Sequence, residues 1–150
     1  QTILYLSDGT YLIKAISNSF GDENSSVVLL KTDQFGNELW TKSFGGTKSE
    51  AGNTIRETDN GSFIMVSSKY NYGSNDYDVW LIKIDKNGFV EWEQTFGGVN
   101  SDLGLSVALT LDGGYILTGS TGTVGNGDEN SSDLWLIKTD SEGNTIAEIN

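Results

Sequence analysis

Asp78-Val-Trp-Leu-Ile-Lys-Ile-Asp-Lys-Asn-Gly-Phe-Val-Glu-Trp-Glu-Gln-Thr-Phe-Gly-Gly98 reads as a strand, a tight turn and a second strand, and it recurs. Upstream stands Val28-Leu-Leu-Lys-Thr-Asp-Gln-Phe-Gly-Asn-Glu-Leu-Trp40, followed by Phe44-Gly45-Gly46. Downstream stands Leu134-Trp-Leu-Ile-Lys-Thr-Asp-Ser-Glu-Gly-Asn144. The lysines of the three copies, Lys31, Lys83 and Lys138, lie 52 and 55 residues apart, and the turns Asp8-Gly9, Asn60-Gly61 and Asp112-Gly113 lie 52 and 52 apart. Self-similarity at a fixed period of this length marks a repeat architecture.

Working outward, each cycle contains four short apolar stretches separated by Asn, Asp and Gly. The first copy runs through Thr2–Leu6, Tyr11–Ile16, Val27–Asp33 and Glu38–Phe44. The second runs through Thr54–Thr58, Phe63–Val66, Val79–Asp85 and Val90–Phe96, and the third through Ser106–Thr110, Tyr115–Thr118, Leu134–Asp140 and Thr145–Ile149. No stretch has helical periodicity. Asp-Gly and Asn-Gly supply the positive φ that two-residue hairpin turns require. A four-stranded antiparallel meander about every 50 residues is the unit of a β-propeller blade. The expectation is an all-β chain of about three blades, spanning 1–49, 50–101 and 102–150, either a fragment or a partial propeller. A β-sandwich is the competing arrangement, and the regular recurrence argues against it.

The third strand of each copy is the most apolar. Trp80, Ile82 and Ile84 point one way and Leu81, Lys83 and Asp85 the other, as suits a sheet packed between two neighbours. Lys31, Lys83 and Lys138 each precede an Asp by two residues on the same face, at 33, 85 and 140, which reads as a repeated ion pair or turn cap. Trp80 and Trp135 belong to the same repeated framework. Trp40 and Trp92, on the outermost strand, are expected to stack on the adjacent blade. The third copy has Ala147 at that position and no Phe-Gly-Gly after it.

Composition narrows function. Nine basic and 21 acidic residues give a net charge of −12, which argues against nucleic acid and against an anionic membrane surface. Cys and His are both absent, so there is no disulfide, thiolate nucleophile or imidazole base. No apolar run approaches the roughly 20 residues that span a bilayer. No signal peptide is visible, and because the chain opens inside a repeat, an upstream segment removed or not included is expected.

The long connections fall on one side of such an assembly: Ser19–Asn24, Asn71–Asp76 and Gly125–Asn130, with links Thr47–Glu50 and Asn100–Asp102. They gather Asp22, Glu23, Glu50, Asp76, Asp102, Asp128 and Glu129 on one rim. Three readings of the rim stay open: a solvated loop surface, a Ca²⁺ site built from carboxylates and carbonyls, or paired carboxylates for glycoside chemistry. Tyr70, Tyr72 and Tyr77 in the second connection suit either stacking on a sugar or local packing. Asn24, Asn60 and Asn130 head glycosylation acceptor patterns.

The pattern Asp-x-Trp-Leu-Ile-Lys-Thr-Asp-x-x-Gly-Asn-x-x-Trp, Phe-Gly-Gly, then Ser-Val-x-x-Thr-x-Asp-Gly-Gly-Tyr-Ile, resembles the repeats of bacterial and archaeal cell-surface β-propellers over essentially the whole chain. It is more distantly similar to pyrroloquinoline-quinone-type blades, with a shorter turn, and to kelch blades through the double glycine before Tyr115. The resemblance implies a secreted or cell-surface module for binding, adhesion or scaffolding. Its partners would be a protein or glycan ligand, or further blades of the same or another chain, and it brings no catalytic residues. The alternative is a segment of a larger propeller enzyme acting on carbohydrate.

Overall fold

The computed structural model describes residues 1–17, 26–45, 51–122 and 132–149. Among them are twelve strands and no helix, in three four-stranded antiparallel sheets whose strands follow one another in sequence order. The first sheet is β1 (Thr2–Tyr5), β2 (Tyr11–Ser17), β3 (Ser26–Thr32) and β4 (Glu38–Phe44). The second is β5 (Ala51–Glu57), β6 (Phe63–Asn71), β7 (Asp76–Ile84) and β8 (Val90–Phe96). The third is β9 (Asp102–Leu109), β10 (Tyr115–Thr121), β11 (Asp133–Thr139) and β12 (Thr145–Ile149).

Two apolar cores lie between the sheets. Side chains alternate across a strand, so β7 divides its residues between them. Trp80, Ile82 and Ile84 join Ile55, Phe63 and Met65 in packing against Leu6, Leu12, Val27 and Leu29 of the first sheet. Val79 and Leu81 join Ile64 and Val66 in packing against Val107, Leu117 and Ile137 of the third. The central sheet is therefore apolar on both faces, as the sequence of β7 requires. Each fully buried side chain of this size contributes about 1.5–3 kcal/mol of transfer free energy. Among the described residues nothing covers the outward faces of the first and third sheets in this way: Ile3 and Tyr5 on one, and Leu134 and Ile149 on the other, stand exposed.

The turns differ from the two-residue expectation. In the first hairpin Leu6 N donates to Thr10 O and Gly9 N to Leu6 O, enclosing three residues, and the same pattern closes every sheet's first and last hairpin. Only the glycine takes a positive φ, 82° at Gly9, while Asp8 does not. This is a type I turn followed by a left-handed glycine, the usual three-residue hairpin. In the first hairpin of each sheet the residue before the glycine is Asp or Asn, whose carboxylate or amide oxygen accepts from the chain two residues on, as Asp8 does from Thr10 N at 3.0 Å.

The first strands of the second and third cycles also begin earlier than their apolar pattern suggests, at Ala51 and Asp102. Asp102 pairs with Thr121 beyond a register shift at Thr118/Gly119, so the link expected at Asn100–Asp102 is already strand at its last residue. The β6–β7 hairpin is likewise longer, with paired residues out to Asn71 and Asp76. Tyr70 faces Tyr77 across it with ring centroids 5.2 Å apart, edge to face. Such a cross-strand aromatic pair holds the hairpin together where the hydrophobic alternation has ended.

Candidate functional site

The lysine of each third strand turns out to have a different partner from the Asp two residues on. Asp33, Asp85 and Asp140 cap their own turns: Asp33 Oδ1 accepts from Phe35 N at 2.8 Å and Asn37 N at 2.9 Å, and Asp85 and Asp140 do the same. Those hydrogen bonds hold all three carboxyls below the ordinary range, the side-chain amide first for Asp33 and Asp140 and the Phe89 N–H first for Asp85. With these carboxylates engaged, Lys31 reaches Asp8 and Lys138 reaches Asp112, each at 2.9 Å. The Thr10 hydroxyl, then Lys31, holds Asp8 down at about 2. Asn60 occupies the equivalent place in the second sheet, and Lys83 turns to Glu91 at 3.4 Å instead. These lysines are framework groups.

The tryptophans bind sheet to sheet. Trp40 Nε1 donates to Lys86 O at 3.2 Å, and its ring lies over Gly88, where a Cβ would meet it at 3.2 Å. Trp92 lies in the same way over Gly143 and sits 5.9 Å from the Tyr115 ring. Trp80 donates to Glu93 at 2.8 Å under the Lys69 ammonium. Trp135 is buried, its indole N–H without a partner among the described residues.

Of the seven acidic residues expected on one rim, Asp22, Glu23, Glu50, Asp128 and Glu129 lie outside the described residues, as do Asn24 and Asn130. Asn60 is exposed, its side-chain oxygen accepting from Thr58 Oγ1 at 2.6 Å. Asp76 and Asp102 are described, and the structure brings them to a third acid that the rim reading passed over, Asp78. Asp78 and Asp102 do not stand on an open rim, and Asp76 is half-buried where β7 begins. Asp102 is 0% exposed and Asp78 8% exposed. The cause is strand placement: β9 enters the gap between the second and third sheets at Asp102, and Asp78 lies inside the lengthened β6–β7 hairpin.

The backbone around these acids is fitted to them. A Cβ on Gly97 would lie 2.2 Å from Asp78 Oδ1 and 2.8 Å from Asp102 Oδ2. The first glycine of Phe96-Gly97-Gly98 therefore leaves room for two carboxylates, and the second donates its N–H to Asp102 Oδ2 at 3.0 Å. Asn71 Nδ2 donates to Asp78 Oδ2 at 2.7 Å, whereas Asp78 Oδ1 is buried with no hydrogen-bond partner among the described residues. Burial, then repulsion from Asp76 and Asp102, pushes the Asp78 carboxyl above its ordinary value of 3.8 despite the Asn71 bond. Among the described residues no three His, Cys, Asp or Glu side chains form a group able to hold a metal ion.

A raised carboxyl pKa means that the folded state holds this proton more tightly than the unfolded chain. Its stabilising contribution is complete below the ordinary value and is lost as pH rises through the raised one. Asp78→Asn keeps the acceptor for Asn71 and removes the charge. Its stability relative to the parent should therefore grow as pH rises past the ordinary value of 3.8. Paired urea titrations from acid to neutral pH measure this. A difference that stays constant with pH would show that Asp78 is not held above its ordinary range.

Beside Asp78 the surface opens into a groove of about 250 Å³ lined by Lys69, Tyr70, Asn71, Tyr72, Asp78 and Thr95. Tyr72 is 65% exposed and meets Tyr70 edge-on at 5.1 Å. Beyond the groove the chain turns at Asn75, whose φ of 65° is the one positive value at a non-glycine among the described residues. The groove thus offers an aromatic wall, an amide and a partly sequestered carboxylate. The signal for Asp78 was present in the sequence, since Asp78 and Asp133 precede equivalent apolar runs 55 residues apart. What the sequence lacked was the length of the hairpin that buries it. No family model matches the chain, and no curated protein matches it.

Proposed function

We propose that the chain forms three blades of a β-propeller and acts, at the cell surface or in secreted form, as a non-catalytic module for binding and scaffolding. Support for the architecture comes from three antiparallel meanders at a near-constant period, with β7 apolar toward both neighbours. The binding reading rests on one observation, the groove floored by Asp78 and walled by Tyr70 and Tyr72. An aromatic ring beside amide and carboxylate acceptors suits the alternating C–H and O–H faces of a glycan. Binding of the 150-residue chain to an immobilised glycan panel tests this. Tyr72→Ala, at an exposed position, should weaken the best interaction about tenfold, roughly the 1.4 kcal/mol of one aromatic contact. Glycan retention equal to that of the parent would overturn the groove as the site.

One observation favours a second reading, a segment of a carbohydrate-acting enzyme. Asp78 is a carboxyl of raised pKa in a groove beside further carboxylates, which is how a general acid is prepared. Against it stands the complete burial of Asp102, which keeps that carboxylate away from any substrate in the groove. Release of reducing sugar that disappears in Asp78→Asn would replace the binding reading with the enzymatic one.

A further inference from the structure

The two outward sheet faces carry large apolar side chains at positions that are buried wherever a neighbouring sheet is present. Ile3 is 69% exposed, whereas its equivalents one and two periods on, Ile55 and Val107, are 0% and 1% exposed. Leu134 is 73% exposed, whereas its equivalents Val27 and Val79 are 0% and 1%. Ile55 and Val107 face the preceding sheet, and Val27 and Val79 face the following one. The open face of the first sheet is therefore the kind that packs on a preceding sheet, and the open face of the third is the kind that receives a following one.

Position by position, these two open faces fit each other. In the two formed interfaces a tryptophan lies over a glycine turn, Trp40 on Gly88 and Trp92 on Gly143. One period further, the tryptophan position is Ala147 and the turn it would meet is that of Gly36 in the first sheet. There the residue before the glycine is Phe35, 80% exposed, where the other turns have Asn87 and Glu142. A large residue over a small turn becomes a small residue under a large one. At the inner end of the first interface, Ser7 donates to the Glu57 carboxylate at 2.9 and 2.6 Å. The positions corresponding to that pair across the open faces are Leu111 and Tyr5, both exposed and both apolar. The first interface has a polar pair at these positions and the second has Asp59 and Leu109, whereas the open faces offer two apolar residues.

We propose that two copies of this chain associate head to tail, the third sheet of each covering the first sheet of the other, so that six sheets close a ring. The inference rests on the propeller reading, and six sheets fall within the four to eight that closed propellers contain. A head-to-tail interface yields a closed ring when its rotation closes and an open fibre when it does not. Burial of the exposed apolar side chains on both faces supplies the driving force.

Light scattering on the eluting chain tests it, with twice the single-chain mass of 16.2 kDa expected. Leu134→Glu, a change at a surface position of the single chain, should halve that mass while leaving the circular dichroism unchanged. Tyr5→Cys combined with Leu111→Cys gives a second readout, because the chain has no cysteine of its own. Under oxidation the double variant should form a covalent dimer, and each single variant should not. A folded monomer at all concentrations would overturn the second copy as occupant without touching the Tyr72 glycan result, which reads the binding function separately. Species that keep growing beyond two copies would overturn ring closure, and the propeller reading with it.

Discussion

Phe63→Ala is expected to destabilise the protein by about 3–5 kcal/mol, the range for removing a buried phenylalanine from a core. Phe63 is fully buried, belongs to the core between the first and second sheets, and has the Lys31 ammonium 6.0 Å from its ring centroid. It begins β6 immediately after the Asn60-Gly61 turn, pairing with both Glu57 and Ile84, so neighbouring strands on either side leave little freedom to close the void. A domain of ordinary stability has about 5–15 kcal/mol in total, so this one change removes much of it. Urea unfolding followed by tryptophan fluorescence measures the loss. A cost under about 1 kcal/mol would mean that the first sheet is not packed on the second as described.

Gly119→Ala is expected to cost about 3 kcal/mol, the upper part of the range for overpacking. The Cβ it introduces would lie 2.1 Å from Leu103 O and 3.1 Å from the carbonyl carbon, both backbone atoms that no rotamer change can move. Gly119 sits at the register shift between β9 and β10, where Gly104 is its partner and its own Cβ position would meet Ser67 O at 2.8 Å. The two glycines let the start of β9 come close to both the second sheet and β10. By contrast, Gly61→Ala, in a turn open to solvent, should cost only the strain of its positive φ of 77°. Thermal melts of the two variants side by side decide the matter, and equal melting temperatures would refute the close approach at Leu103.

Gly119 also shows what the sequence leaves out. Its equivalents by period are Ala15 and Ser67, so the repeat pattern alone allows a side chain there. Only the position of Leu103, delivered by a strand that begins at Asp102, forbids it. The three meanders, the places of their turns and the two faces of β7 were legible because each depends on local alternation that repeats at one spacing, whereas the three-residue form of the turns was not. The tryptophan contacts were legible for the same reason. The partners of Lys31, Lys83 and Lys138 were not, since an Asp two residues away competes with an Asp across a hairpin, and the turn's own N–H groups decide the contest. The burial of Asp78 and Asp102 was hidden as well. Polar residues at the end of an apolar run look like loop, and the Tyr70–Tyr77 pair that carries the hairpin past them is a cross-strand contact with no signature along the chain.

Several contacts that join one sheet to the next recur at equivalent places in the two formed interfaces, from the tryptophan over the glycine turn to the aliphatic residues of the third strand. A gene segment coding one period, duplicated in frame, would therefore deliver a new sheet whose mating surfaces already match those on either side. Such a chain can change length in whole periods by recombination without inventing a new kind of joint.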